Sequence, residues 1–379
     1  MSLARRATCR GLSLVELLVS MAVGLIIMSG VITVMVDSKE SLVTEEQISY
    51  IQDNARFALE QLSYDIRMAG YFGCSTQGEL TNSVNNSTND ANWMYSSTGI
   101  KGFEYSELGD SDFPAELSGD ISANTDVVVI NRGEPNDSLS ITSHVPAAAT
   151  IHLSEPSALE VGQLLVIASP NCSNMAIFQM TGPTNTTDPS EANHNTGGSV
   201  QPGNCRKALT SGYDCSNPPT ASFYGTPYPP GSTLMEFSSN AYFIRASETT
   251  GLPSLYRQTL IVDSGSNADT EAQELASGVE DLQIIYGLDT DATADGKIDR
   301  YYSADNIPYN LADPVTGYIA WDRVIAVRIT LIMRSAREVF ASDTAVDLNE
   351  GFVYNDRYMR QKVSTTLRIR NRGLAAEDA

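Results

Sequence analysis

The chain is poor in basic residues and in histidine. Of its 379 residues, 24 are lysine or arginine, 46 are aspartate or glutamate and 3 are histidine, so the formal net charge is −22. Broad binding to nucleic acid or to an anionic membrane surface needs a positive field, so this composition argues against both, and no nucleic-acid partner is expected. The histidines, His144, His152 and His194, are scattered, which argues against a His-rich metal centre.

Sequence motifs of common enzymes are missing as well. We find no nucleophile elbow, no phosphate-binding glycine loop and no zinc triad. No cysteine has a histidine in a plausible partner phrase, and acidic pairs such as Glu280-Asp281 are ordinary surface charge. We therefore expect no catalytic residue, and a membrane-anchored secreted enzyme is kept only as the alternative from a different class.

Residues 12–36 form a long apolar run, LSLVELLVSMAVGLIIMSGVITVMV, which contains one charge, Glu16, and no proline. About 20 apolar residues suffice to span a bilayer as a helix, so the run predicts a transmembrane segment. The preceding residues 1–11 carry Arg5, Arg6 and Arg10 and no acid. Positive residues favour the cytoplasmic side, so the rest of the chain is expected across the membrane, where disulfides are stable.

Glu16 separates three interpretations of this run. A secretory signal peptide has a shorter apolar core and a small-residue cleavage site, and a plain anchor explains the length but not the acid. A carboxylate within a span is costly and suggests a function with a nearby partner. A prepilin leader, the third interpretation, accounts for both the length and the acid.

The pattern becomes amphipathic after Val36 and predicts that the helix continues to about residue 69, a total length of roughly 85 Å. Gly70 supplies the stop. Polar residues between the apolar ones, Asp65 among them, are expected on the solvent side. The apolar stripe at spacings of three and four consists of Ile48, Ile51, Ala55, Ala58, Leu59, Leu62, Ile66 and Ala69.

Beyond the helix the sequence predicts a β-rich head with long loops. Residues 75–125 are rich in loop-forming residues, and residues 182–233 look like a Pro- and Gly-rich insertion pinned by a disulfide. The predicted class is α+β, one long helix packed on antiparallel sheet. Strands are predicted at 126–131, 150–153, 163–168, 176–181, 241–245, 254–260, 282–286, 324–333 and 362–370.

Five cysteines allow two disulfides. Cys9 lies in the basic leader, and the other four form an even set with three possible pairings. Cys205 and Cys215 enclose nine residues and are the favoured pair. That choice leaves Cys74 with Cys172, which would tie the helix end to the head.

Residues 289–299, DTDATADGKID, resemble a calcium-binding loop. Gly296 stands where such a loop turns sharply. Tyr302 stands where an EF-hand has a bidentate glutamate, and no helix pair flanks the loop, so a calcium loop in a β context is predicted. An acidic hairpin turn without metal is the alternative. The candidate Ca²⁺ ligands are Asp289, Asp291, Thr293, Asp295, the Lys297 carbonyl and Asp299.

The string Gly11-Leu12-Ser13-Leu14-Val15-Glu16 resembles the type III signal of type IV pilins and type II secretion pseudopilins. The resemblance implies cleavage between Gly11 and Leu12 by a prepilin peptidase, and methylation of the new amine of Leu12. Leucine replaces the phenylalanine that is usual at that position. It also implies that Glu16 pairs with the N-terminal amine of a neighbouring subunit, because a carboxylate facing an ammonium costs less than a lone carboxylate in hydrocarbon.

Phrases in the body are similar to the PilW family of minor pilins. The resemblance implies the following organisation: leader 1–11, membrane or filament-core half-helix 12–36, amphipathic half-helix 37–70, and head 71–379. The matching phrases are RMAGYFGC (67–74), NCS (171–173) with AIF (176–178), PSLYR (253–257), GVEDLQIIYGLD (278–289), WDRV (321–324) with AVR (326–328), and RIRNR (368–372).

Arg368, Arg370 and Arg372 alternate near the end and are expected on one solvated face of the last strand.

The family implies a low-abundance, structural subunit of the type IV pilus that primes assembly, stays near the tip and supports twitching motility. Its expected partners are other minor pilins, the major pilin, a tip adhesin, the prepilin peptidase and the inner-membrane assembly platform. It would lie in the inner membrane with its head in the periplasm, and in the extracellular pilus after assembly. A type II secretion pseudopilin shares the leader, the glutamate and the helix, and is the closer alternative.

Overall fold

The computed structural model describes residues 13–372 except 75–79, 86–92, 108–112, 118, 136–137, 184–189, 198–199, 211–214, 216–222, 292–294, 309–319 and 350–351. The leader, the Gly11–Leu12 cleavage site, the methylation site at Leu12, and Cys9 all lie outside the described residues. Within them, one long α-helix accompanies a head built mostly of antiparallel strands. The predicted α+β class is confirmed.

Helix α1 (Leu14–Met68) has 55 residues, which corresponds to roughly 80 Å. It ends at the predicted stop, since Gly70 has φ +72°, a left-handed conformation that favours glycine. The Gly70 amide donates to Asn131 O at 2.9 Å. A Cβ atom at Gly99 would lie 2.4 Å from Cα of Gly70, so the helix end approaches the head backbone to backbone.

The described residues form seventeen strands in three sheets, and all strand pairs except β1 with β7 are antiparallel. The strands are β1 (Leu80–Asn82), β2 (Ile100–Phe103), β3 (Val127–Gly133), β4 (Leu139–Val145), β5 (Thr150–Leu153), β6 (Leu164–Ala168), β7 (Met175–Gln179), β8 (Glu191–Asn193), β9 (Thr233–Ala246), β10 (Pro253–Val262), β11 (Ala268–Ser277), β12 (Val279–Leu288), β13 (Arg300–Tyr302), β14 (Val324–Glu338), β15 (Thr344–Asn349), β16 (Phe352–Asp356) and β17 (Tyr358–Arg368).

Strand β9 is the centre of the largest sheet. One path runs β1-β7-β6-β9-β4-β5-β8, and the β2-β3 and β10-β11 pairs join it through β9. The second sheet has the order β13-β12-β14-β17, and β15 pairs with β16 alone. Short 3-10 helices lie at Tyr105–Glu107, Ala115–Leu117, Pro146–Ala148, Ala304–Asn306 and Ala320–Arg323.

The second half of α1 packs over both large sheets. A core cluster joins helix residues such as Ile51 and Leu62 to Ile130 and Tyr242 of the first sheet and to Ile329 of the second. Burial of this apolar stripe is the main force that holds the helix on the head.

Most of the predicted apolar stripe is buried, with two differences. Ile48 is 37% exposed, because it lies beside the buried line of helix residues that begins at Gln47 and continues at Ile51. Asp65, expected in solvent, is 3% exposed because polar groups of the first sheet surround it.

The described part of the predicted insertion 182–233 is packed, not loose: Leu209 and Tyr228 are buried against the first sheet.

Candidate assembly site

The apolar half of α1 stands free of the head. Its large side chains between Leu14 and Val36 are 48–75% exposed, and the helix is long and apolar enough to cross a membrane. The hydroxyls in this half bond back to the helix itself: Ser20 donates to Leu17 O at 2.9 Å, and Ser29 donates to Ile26 O at 2.8 Å. These two hydroxyls therefore have their hydrogen bonds within the helix, as a hydrocarbon environment requires.

Glu16 lies in the first turn of this apolar half. Ser13 precedes the helix in an extended conformation, and the Leu17 amide donates to its carbonyl at 3.1 Å. Among the residues that the structure describes, Glu16 has no hydrogen-bond or ion-pair partner, and it is exposed among apolar side chains. An acid near a helix N-terminus is favoured by the helix dipole, but in an apolar environment it still needs a cationic partner.

The amphipathic half is fixed to the head by buried polar contacts as well as by apolar packing. Asp65 accepts hydrogen bonds from Asn240 Nδ2 at 2.7 Å, Tyr242 OH at 2.6 Å and Arg132 Nε at 3.2 Å. Further up the helix, the Oε1 atom of the buried Gln47 accepts from the Ala336 amide at 2.8 Å. These contacts determine the direction in which the free half leaves the head.

Two disulfides link the segments that the cysteine spacing predicts. Cys74, just after the helix end, is bonded to Cys172 in the turn between β6 and β7, and Cys205 is bonded to Cys215. The first bond ties the segment leaving α1 to the first sheet. The second closes a ten-residue separation within the 182–233 region.

The acidic loop connects β12 to β13. Carboxylate oxygens of Asp289, Asp291 and Asp295 lie within 4.8 Å of one another. Gly296 has φ +72°, which agrees with the predicted sharp turn. Asp299 lies at the other side of the loop, where its Oδ2 accepts from the Thr290 amide at 2.6 Å. Thr293 lies outside the described residues.

Among the C-terminal arginines, Arg368 and Arg370 are exposed as expected, whereas Arg372 differs from the expectation. Strand β17 ends at Arg368, and Arg372, beyond it, is 6% exposed instead of solvated. Arg372 Nη2 pairs with Asp322 Oδ1 at 3.0 Å, and Nη1 donates to Trp321 O. Burial lowers the pKa of Arg372, which the Asp322 charge opposes. The alternation did not reveal this, because the strand ends before the segment turns under the helix end.

Sequence reasoning missed Asp65 and Gln47, which orient the helix, because polar side chains of an amphipathic helix are expected on its exposed face. A signal was available in retrospect. Gln47, Ile51, Ala55, Ala58, Leu62 and Asp65 follow one another at steps of three and four, so both polar residues extend the apolar stripe.

Two family models match the chain. The prokaryotic N-terminal methylation motif matches residues 6–32, and Type IV Pilus-assembly protein W, PilW, matches residues 241–371. The first range contains Glu16 and most of the apolar run. The second contains the chain from within β9 to just beyond β17, including the acidic loop. No curated protein and no solved structure matches the chain.

The matched residues bear on the phrases that suggested the family. Those at 253–257, 278–289 and 321–328 lie inside the PilW match, whereas those at 67–74 and 171–178 lie outside it. The matches indicate a structural pilin, and a methylation motif followed by an exposed apolar helix fits a membrane-anchored one. Together the two matches support a type IV pilus minor pilin of the PilW family.

Proposed function

We propose that this pilin primes assembly of the type IV pilus in a complex with other minor pilins and stays near the filament tip. The observation that carries the proposal is the free apolar half-helix, joined to a large head, whose Glu16 side chain has no partner among the described residues. The helix enters the bundle of subunit helices, and Glu16 pairs with the N-terminal amine of a neighbouring subunit.

The size of the head supports a position at the end of the filament. Its roughly 300 residues correspond to a radius of gyration of about 19 Å by the scaling for compact domains. Heads of this size crowd one another when their helices share one bundle, which favours few copies at the tip. The exposed end of the head is then available to a tip adhesin.

The same features support the proposed route. The basic leader favours an inner-membrane orientation with the head in the periplasm, where the two disulfides are stable. The prepilin peptidase cuts between Gly11 and Leu12, the Leu12 amine is methylated, and the assembly platform delivers the subunit into the extracellular pilus beside the major pilin.

Surface piliation tests the priming role. In a strain lacking the gene, sheared major pilin is expected to fall sharply while the cellular pilin pool persists. Glu16→Ala is expected to leave leader cleavage intact but to reproduce the loss of surface pilin and of copurification with other minor pilins. Glu40→Ala, which changes an exposed acid further along the same helix, is the matched control and is expected to assemble normally.

Unchanged piliation in the deletion strain would overturn the priming role, and a simultaneous defect in exoprotein secretion would favour the pseudopilin alternative. Normal copurification and piliation with Glu16→Ala would overturn the pairing role of the glutamate.

A further inference from the structure

The loop between β12 and β13 brings three acidic side chains together. Asp289 directly follows β12 and is 1% exposed, whereas Asp291 and Asp295 are exposed. Their carboxylate oxygens lie within 4.8 Å of one another. Like charges at this separation repel each other, and the repulsion is strongest for the buried member because water screens it least.

Asp289 supplies an independent indication of a ligand. Its Oδ2 atom accepts a hydrogen bond from the Gly296 amide at 2.8 Å, but its buried Oδ1 atom has no hydrogen-bond partner among the described residues. A buried carboxylate oxygen without a donor is costly. Carboxylate oxygens of Asp291 and Asp295 lie within 4.8 Å of one of Asp289. An oxygen-binding cation among the three side chains would therefore satisfy the Asp289 oxygen and also remove the repulsion between the carboxylates.

The loop backbone holds these oxygens in place. Gly296 turns in the left-handed conformation and directs its amide at Asp289. Asp299 closes the loop base, since its amide donates to Leu288 O at 2.9 Å and its carboxylate accepts from Thr290. Asp299 therefore stabilises the backbone at the base of the loop. Lys297 Nζ contacts Asp295 Oδ2 from solvent, with 79% of its side chain exposed, and a divalent cation can displace it.

We propose that Asp289, Asp291 and Asp295 bind one Ca²⁺ ion. The donor set consists of carboxylate oxygens, and because Asp291 and Asp295 are exposed, water can complete the coordination. This arrangement suits the flexible coordination of calcium better than the strict octahedron of magnesium. Two of the three acids are exposed, so the affinity belongs to the range of extracellular calcium modules, with Kd about 10⁻⁴–10⁻³ M.

The bound ion would stabilise a junction of the head. The Asp289 amide donates to Arg323 O at 3.1 Å, and Arg368 Nη2 donates to Gly296 O at 3.0 Å, so the loop joins the start of β14 to the end of β17. Two residues beyond β17, the Arg370 amide donates to Arg67 O on α1 at 3.1 Å. Calcium therefore acts near the point where the helix meets the head.

The test uses the purified full-length chain in detergent, with CaCl2 as the probe. Calorimetric titration is expected to show one Ca²⁺ per chain, and saturating CaCl2 is expected to raise the Tm by about 2–4 °C relative to EGTA. Asp289→Asn is expected to abolish the calcium shift and to raise the Tm in EGTA, because it removes one repelling charge and keeps an oxygen for the Gly296 amide. If Asp289 had a structural role alone, Asp289→Asn would instead lower the Tm both in CaCl2 and in EGTA.

Two further variants keep the result interpretable. Asp291→Asn changes an exposed residue, so this variant is expected to fold even if Asp289→Asn does not. It is expected to lose the increase in Tm caused by calcium. Asp263→Asn changes a half-buried aspartate in the β10–β11 hairpin that accepts from the Gly265 amide at 2.8 Å, and it is expected to keep the shift. Equal melting in CaCl2 and EGTA, or a full shift in both Asp289→Asn and Asp291→Asn, would overturn the site. An equal shift with MgCl2 would overturn the assignment to calcium.

Discussion

Asp65 shows how one side chain orients a helix of 55 residues. Its carboxylate receives three hydrogen bonds from β3 and β9, and Arg132, one of the donors, also pairs with Glu134 Oε2 at 2.7 Å. Burying a carboxylate is tolerable only when it is paired and fully hydrogen-bonded, and all these partners come from the first sheet. The residue therefore fixes both the rotation and the height of α1 on the head.

We predict that Asp65→Ala lowers the free energy of unfolding by about 3–5 kcal/mol, because it leaves Arg132, Asn240 and Tyr242 without their buried acceptor. Urea denaturation of the full-length chain in detergent measures the change. Asp53→Ala on the exposed side of the same helix is the control, and a change within about 0.5 kcal/mol is expected there. Equal losses in the two variants would show that the carboxylate does not hold the helix.

Asp126 is a second buried acid with a different state. It is 4% exposed, and burial together with the nearby Glu104 raises its pKa to about 9. Its Oδ2 atom accepts from the Ile284 amide at 2.7 Å, and a hydrogen bond links it to Glu104. Asp126 is therefore protonated at neutral pH and joins β3 to β12 as a neutral acid.

The raised pKa predicts a pH dependence. In the unfolded chain Asp126 ionises near pH 4, so its stabilising contribution is fully present below that value and is lost as the pH rises toward about 9. Asp126→Asn preserves the acceptor for Ile284 and a donor for Glu104 without a titrating proton. Its stability relative to the native sequence is expected to grow with pH, by at most about 1.4 kcal/mol per unit.

Urea denaturation between about pH 5 and pH 8 checks this expectation. Asp343→Asn, at an exposed position, is the control and is expected to follow the native curve. A constant stability difference between Asp126→Asn and the native chain over this range would mean that Asp126 is ionised when folded.

At the scale of elements, strand β11 shows where local pattern and tertiary pairing disagree. Its sequence, ADTEAQELAS, contains good helix formers and no β-branched residue except Thr270. It nevertheless pairs with β10 from Val262↔Ala268 to Ser254↔Ser277. The turn before β11 follows a local rule: Asp263 Oδ1 accepts from the amides of Gly265 and Asn267, and the first of these bonds is that of an Asx turn.

The insertion between β7 and β9 contributes His194 to a buried histidine pair in the head. His144 on β4 and His194 after β8 have their Nε2 atoms 3.0 Å apart, and the Tyr228 amide donates to His144 Nδ1 at 3.2 Å. His144 Nε2 must then carry the proton and donate to His194. Burial lowers the pKa of His144 to about 4 and that of His194 to about 3.

This pair predicts sensitivity to acid. Both histidines are neutral when folded but bind protons near pH 6.5 when unfolded, so their contribution is present above that pH and is lost as the pH falls toward 4 and below. Denaturation between about pH 7 and pH 4 is expected to show a loss of at most about 1.4 kcal/mol per unit for each histidine.

Two variants identify the groups responsible. His194→Gln is expected to be less stable at neutral pH but to show a shallower decline in acid. His152→Gln, in which the native side chain is 38% exposed, is expected to keep the native slope. A decline that is unchanged in His194→Gln would assign the acid sensitivity to other groups.

At the scale of the whole molecule, α1 has two environments along one continuous helix. The two sheets hold the part of the helix from Gln47 onward, whereas the part before residue 37 exposes its apolar side chains on every face. Apolar exposure on this scale is stable only in lipid or against other helices. The structure is therefore that of a subunit completed by its surroundings, which is consistent with a pilin.

The sequence by itself determined the long helix, the stop at Gly70 and nine strands, and among three possible cysteine pairings it favoured the one that the structure shows. These features depend on periodicity, glycine conformation and composition, which act over a few neighbouring residues. The turn of the acidic loop also belongs to this group, since its aspartates and Gly296 lie within eleven residues.

Only the tertiary structure decided which polar residues are buried and what charge they carry. Asp65 and Asn240 are 175 positions apart, and Asp126 and Ile284 are 158 apart. Burial and hydrogen bonding between such distant positions have no local pattern, so no periodicity reveals them. For the same reason, only the tertiary structure shows that Asp289 is buried, unlike Asp291 and Asp295, and that its Oδ1 atom has no donor among the described residues.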